Sequence, residues 1–507
     1  MTAKKYLIQN GRIHTGERFV EATDILIEDD RIAEIGHFPN LDADQTFDVN
    51  GSVVCPGFID VQNMHDRLPE LNENDGFNLV TQGVTSCIVG NCGRFGDRKL
   101  EDWFYTSDNW FNDQLLLAAH LKLGINIGIL LGHNTLRDYV LTKNGKQANR
   151  VASSAELKEM ESILETGLKN GALGLSTGLM YYPSTFADQE ELSILASVVG
   201  KYGKIYTTHM KDEGPKLIET ISESMDVTEN TGATLMISHF KVTGKQYWGK
   251  SIEAVNLIER KRASQPVFLN FYPYTATSTT LDIILLDNVR KRYSASANLE
   301  YTIADDEQIE REGKQNLCLN GWKDVVVVSS QIPDLVNHSI ANVAGTESCY
   351  KKVVEILRAD PMTRVAFHNI ASEDDYHNIV KLPYAMPGTD GYIWPINSKQ
   401  ATHPRNYGAF SRVIEQYVLA QGLISLEEFI RQSTSVPAKA YNLMQRGLLE
   451  KGFFADVIIF QPQRVKERAT YEKPCLPSEG MQHVFVNGEI VLKDGIPTMV
   501  YPGAVLQ

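Results

Sequence analysis

The sequence predicts an α/β fold, a TIM-like (β/α)8 barrel with a small composite β-sandwich domain and an insertion over the barrel mouth. Two observations point there. Short apolar runs suited to buried parallel strands alternate with helix-length stretches through the middle of the chain, and both chain ends read as short strands joined by tight turns. A third observation sharpens the expectation: several polar residues directly follow predicted strands, where a barrel gathers its functional groups on one face.

The first fifty residues give strands at Lys5 to Gln9, Asp24 to Glu28 and Arg31 to Ile35, with turns at Asn10-Gly11 and Asp29-Asp30. The C-terminal part repeats the style at Ala455 to Phe460, His483 to Val486 and Glu489 to Leu492. Neither end has enough strands to be stable alone, so residues 1–52 and 440–507 are expected to form one β domain.

Between them, residues 53–439 supply the barrel. Its strands are expected at Val53 to Val61, Val84 to Val89, Ile125 to Leu131, Gly174 to Thr177, Ile205 to Thr208, Thr234 to Ser238, Val267 to Phe271 and a last one reaching Asp390. Ser154 to Asn170 reads as a helix, with Ser154 as its N-cap and Gly171 past its end. Residues 281–363 are too long for one loop and include Val325 to Val328, so they read as an insertion over the barrel mouth.

The net charge of -14 argues against nucleic-acid and anionic-membrane partners, which demand clustered Lys and Arg. No apolar run is long enough for a membrane span, and Met1 to Lys5 leads into a strand rather than a signal peptide, so a cytoplasmic home is expected. Six cysteines without a Cys-x-x-Cys pair are too sparse for a disulfide framework. A cysteine that matters here is therefore a ligand, a nucleophile or buried filler.

Cys92, His209, His239 and Asp390 each follow a predicted strand. One thiolate and two imidazoles suit zinc, and three protein ligands leave a fourth position for water. Asp390 could then take a proton from that water and return it to a leaving nitrogen. Taken singly, each residue has a plainer reading: a lone Cys is usually buried filler, a strand-end His a hydrogen-bonded rim residue, and Thr389-Asp390-Gly391 a common turn. Their joint placement favours the metal.

The chain resembles the N-acyl-D-amino acid deacylases (D-aminoacylases) of the amidohydrolase superfamily. The matching stretches run in order from Pro56-Gly57-Phe58-Ile59-Asp60 through Val89-Gly90-Asn91-Cys92-Gly93, Gly132-His133-Asn134-Thr135-Leu136-Arg137 and Gly174-Leu175-Ser176-Thr177-Gly178-Leu179. They continue with Thr208-His209-Met210-Lys211-Asp212-Glu213, Ser238-His239-Phe240-Lys241, Tyr272-Pro273-Tyr274, Gly388-Thr389-Asp390-Gly391 and His403-Pro404-Arg405. The resemblance implies one tightly held zinc on Cys92, His209 and His239, and Asp390 as acid and base. It also implies a small-molecule substrate whose free carboxylate is held by Lys241, Arg405, Tyr181, Tyr272 and Ser278. The implied reaction is hydrolysis of an N-acyl amino acid, with D configuration expected.

The chain departs from that family after the first barrel strand. Where His-x-His is usual, it reads Gln62-Asn63-Met64, and neither an amide nor a thioether replaces imidazole as a zinc ligand. Three readings stay open: a single-zinc enzyme, a one-residue bulge that turns His65 inward, or a pocket that has lost hydrolysis and serves another reaction or binding alone. Hydrolysis of a cyclic amide is the other enzyme reading, and Lys241 and Arg405 weigh against it. Asn270 also stands where the family often has an acidic residue, which alters the surroundings of the ligands.

Overall fold

The structure, a computed structural model, describes residues 4–65, 68, 71–72, 75–95, 117–285, 321–399 and 403–507. Its centre is a parallel sheet of eight strands in sequential order. These are β1 (Phe58–Asp60), β2 (Val84–Val89), β3 (Asn126–Gly132), β4 (Gly174–Gly178), β5 (Ile205–His209), β6 (Thr234–Ile237), β7 (Val267–Phe271) and β8 (Ala385–Pro387). Ladders join β1 to β8 through all the intermediate neighbours. The remaining gap closes just beyond β1 and β8, where Asn63 and Gly391 form a parallel bridge and the Asp390 and Met64 amides donate to Gln62 O and Gly391 O, each at 2.7 Å. The barrel expected from the sequence is the barrel observed.

Branched and long apolar side chains fill its interior, among them Ile59, Ile88, Leu130, Leu173, Ile205, Met236 and Met386. Such a barrel is a packed core rather than a pore, so functional groups are confined to the loops at its strand ends. The helices pack outside: Ser154–Lys169 turns Met160, Leu164 and Leu168 inward. Its N-cap is Ser153 rather than Ser154. The Ser153 hydroxyl accepts from the Glu156 amide and the Glu156 carboxylate accepts from the Ser153 amide, a capping box one residue before the expected cap.

The run Val53 to Val61 is two strands, not one. Val53–Pro56 pairs antiparallel with Val457–Phe460 in the flanking domain, whereas Phe58–Asp60 is β1. Gly57 makes the crossing possible, since a Cβ there would lie 2.0 Å from Thr85 Oγ1. The flanking domain holds a four-stranded sheet from the N-terminal segment and a six-stranded sheet that mixes both ends of the chain. Tyr6, Ile8, Ile27, Phe47, Val54, Ile459 and Phe485 pack between the two, which gives the composite sandwich its core.

A three-stranded antiparallel sheet of Thr277–Thr280, Arg364–Phe367 and Val325–Ser329 marks the inserted region. Residues 286–320 of that insertion lie outside the described residues. Among the described residues, no helix is long and apolar enough to cross a membrane.

Candidate metal centre and substrate pocket

Cys92, His209 and His239 come from the ends of β2, β5 and β6, and their donor atoms lie within 4.8 Å of one another. All three are buried. His239 Nε2 stands 2.7 Å from His209 Nδ1 and 3.5 Å from Cys92 Sγ. The backbone is bent to bring them there: Cys92, His239 and Asp390 have φ of +54°, +35° and +46°. Left-handed backbone at non-glycine residues is costly, more so at Cys and His than at Asn or Asp, and persists where its surroundings enforce it. Gly93 permits the turn after Cys92, because a Cβ there would lie 1.8 Å from Asn134 Oδ1.

The groups behind these donors suit a cation. Glu213 Oε1 lies 2.9 Å from His239 Nδ1, a carboxylate against the ring nitrogen remote from the cluster, as around ligating histidines. With Nδ1 donating to Glu213, Nε2 turns its lone pair towards Cys92 and His209. Lys241 Nζ sits 2.7 Å from Glu213 Oε2, 3.0 Å from His239 Nδ1 and 3.1 Å from His239 O. Burial works against the charge on Glu213, yet Lys241 and His239 hold its carboxyl well below the usual range. Burial and the charge of Asp390 push the Cys92 thiol up, so a cation is what would keep this sulfur ionised. The donor set of one sulfur and two imidazoles therefore fits zinc.

The cluster opens on a pocket of about 690 Å³, lined also by Tyr181, Lys241, Ser278, Asp390 and Arg405. Arg405 begins the helix Arg405–Arg412 and is buried. Arg405 Nη1 lies 2.6 Å from Asp390 Oδ2 as an ion pair without a hydrogen bond, and Arg405 Nε, Arg405 Nη1, Tyr272 Oη and Ser278 Oγ are all buried with no hydrogen-bond partner. Such orphaned polar groups are costly unless a ligand or water completes them. Tyr272 lies one layer back from the wall, with its ring 4.9 Å from Arg405 Cζ and 5.7 Å from Lys241 Nζ.

Tyr181 meets His209 edge to face at 4.8 Å and reaches Thr279 Oγ1 at 3.5 Å. Its loop is fixed from below: Asn134 Nδ2 donates to Tyr181 O at 3.3 Å and Ser184 Oγ contacts buried His133 Nδ1 at 2.7 Å. His65 does not line the pocket. Its ring packs against Tyr392 and Trp394, so the inward bulge considered for it is not what the chain adopts. Glu213 was the residue that sequence reasoning passed over, although it lies four positions after His209 on the same face of the barrel.

The amidohydrolase family model matches residues 386–492. An N-acyl-D-glutamate deacylase of Alcaligenes xylosoxydans xylosoxydans is 32% identical over 96% of this chain and 92% of its own. A protein of Lactobacillus acidophilus named dihydroorotase is 43% identical over 99% of both chains. Among solved structures, the N-acyl-D-glutamate deacylase of Bordetella bronchiseptica, complexed with zinc and a phosphonate mimic of the tetrahedral intermediate, superposes with a TM-score of 0.84 at 27% identity over 100% of both chains. Shared sequence along the whole chain and a shared fold lead to one conclusion: the chain belongs to the N-acyl-D-amino acid deacylase family of amidohydrolases.

Proposed function

We propose that this protein hydrolyses the amide bond of an N-acyl amino acid of D configuration, using one zinc ion held by Cys92, His209 and His239. The observation that carries the reading is the pairing of that donor cluster with two orphaned polar groups, Arg405 Nε and Ser278 Oγ, on or beside one pocket wall. A reactive centre next to unsatisfied donors calls for a substrate with an anionic group close to its scissile bond. The α-carboxylate of an N-acyl amino acid is such a group.

Zinc bound at the cluster would supply Lewis acidity, which activates water and polarises the amide carbonyl. Asp390 accepts a proton as water adds to the carbonyl carbon, then delivers it to the nitrogen as the C–N bond breaks. The products are a carboxylate and a free amino acid. Arg405 serves two partners from one fork, since a guanidinium carries five N–H donors: a terminal nitrogen faces Asp390 and Nε remains for the substrate. The Lys241 ammonium already donates to the Glu213 carboxylate and the His239 carbonyl oxygen, so we assign it chiefly to the support of the ligands and leave the direct grip on the carboxylate to Arg405, Ser278 and Tyr181. Tyr272 supports Arg405 from behind.

The test is a panel of N-acyl-D-amino acids, their L enantiomers and the cyclic amide dihydroorotate, assayed on protein of measured zinc content. Turnover of the D free acids, with L forms and dihydroorotate at least about 100-fold slower, is expected; this corresponds to about 2.7 kcal/mol of transition-state discrimination. Turnover confined to dihydroorotate would replace this reading with the cyclic-amide one suggested by the Lactobacillus relative's name.

A further inference from the structure

Behind the donor cluster runs a chain of buried amides whose direction is fixed at one end. The His239 backbone N–H donates to Asn270 Oδ1 at 2.6 Å, Asn270 Nδ2 donates to Gln62 Oε1 at 3.2 Å, and Gln62 Nε2 donates to Cys92 Sγ at 3.3 Å. An amide side chain can usually be turned end for end, because its oxygen and nitrogen look alike in shape. Here it cannot. A backbone N–H is only a donor, so it must face the Asn270 oxygen; the Asn270 nitrogen then faces Gln62, and Gln62 must turn its own nitrogen to the sulfur. Gln62, Asn270, Cys92 and His239 are 1%, 0%, 2% and 3% exposed, so water does not compete for these bonds.

We infer that Gln62 and Asn270 are a coupled pair of positioning residues that hold an N–H on the Cys92 sulfur and tie Cys92 to the left-handed His239 backbone. The inference rests on the metal reading of Cys92, His209 and His239. A sulfur that accepts an N–H bond from Gln62 is held in place, and its filled orbitals are lowered when it is ionised. Because Gln62 presents its N–H end to the sulfur and spends its oxygen on Asn270, it has no lone pair aimed at a second cation beside Cys92. Residue 270 has to be Asn for this to work: Asp would still accept from His239 but has no N–H for Gln62, whose amide would then reverse and turn its oxygen to the sulfur.

Cobalt(II) replacing zinc in the full-length protein reads this directly, through metal stoichiometry, metal affinity by chelator competition, and the sulfur-to-cobalt charge-transfer band. The parent is expected to take up one cobalt and show the band. Gln62→Met and Gln62→Leu, similar in volume and without an N–H, are expected to keep one cobalt, shift the band to longer wavelength and weaken binding by about tenfold or more. Asn270→Asp should shift the band the same way although Asn270 does not touch the sulfur, and Gln62→Met with Asn270→Asp should do no more than Gln62→Met alone. A parent-like band and affinity in both Gln62 variants, or additive effects in the double variant, would overturn the coupled pair and leave the metal reading standing. A parent that binds no cobalt through sulfur would overturn both. Thermal melts identify any variant that has failed to fold, and Asn270→Asp, close to isosteric, then decides alone by whether its band shifts.

Discussion

In the proposed mechanism, Arg405 is the residue on which substrate recognition and proton transfer meet, because one guanidinium faces Asp390 and also carries an orphaned Nε. Arg405→Ala is expected to slow hydrolysis of a free-acid substrate by about 10- to 100-fold more than that of its methyl ester, since a charge-assisted hydrogen bond contributes about 1.5–3 kcal/mol. Comparing kcat/KM for the acid and ester pair checks it; equal losses would mean that Arg405 does not read the carboxylate. Asp390→Asn should retain metal and fold while kcat falls by about two orders of magnitude or more, because an amide cannot carry the proton. Zinc content and single-turnover kinetics on one preparation settle that point. Cys92, His209, His239 and Asp390 were legible in the sequence because each follows a strand, and strand ends in a barrel converge whatever their separation along the chain. Glu213 and the commitment of Lys241 were not, since they depend on how a loop folds back over its own strand.

At the level of elements, all eight barrel strands lie where the sequence indicates, most within a residue, although β8 ends at Pro387 short of the expected Asp390, and two further departures have reasons that can be named. Val53 to Val61 is buried throughout and mostly apolar, which reads as one strand; the Pro56-Gly57 pair inside it marks the change of sheet, and the fit of Gly57 against Thr85 shows why the chain breaks there. Gly57→Ala is therefore expected to destabilise the protein by about 1–3 kcal/mol through overpacking, seen as a lower denaturation midpoint in urea. The helix begins at Ser154 as the sequence indicates, but its cap is the preceding residue, because Ser153 and Ser154 are adjacent and both can cap. Ser153→Ala should cost about 1 kcal/mol and Ser154→Ala much less, measured by the same unfolding curves. If the two substitutions cost the same, the capping box is not what anchors that helix.

Across the whole molecule, the strand-rich ends pack together into a sandwich beside the barrel, which the sequence indicates because neither end reads as having strands enough for a sandwich by itself. The three-stranded sheet over the mouth was less legible, since two of its strands, Thr277–Thr280 and Arg364–Phe367, lie just outside the stretch that reads as inserted. Its Thr277–Thr280 strand brings Ser278 to the pocket, so the proposed recognition groups are divided between this sheet and the barrel while the proposed metal ligands belong to the barrel alone. That division makes metal dependence separable from substrate choice. Stepwise addition of zinc to metal-free protein, with hydrolysis of an N-acyl-D-amino acid followed at each step, is the most direct measurement. Activity should rise linearly and level off at one zinc per chain, with no activity in Cys92→Ala at the same additions. Activity that is independent of zinc, that needs two zinc ions per chain, or that survives Cys92→Ala would contradict a single catalytic zinc on Cys92, His209 and His239.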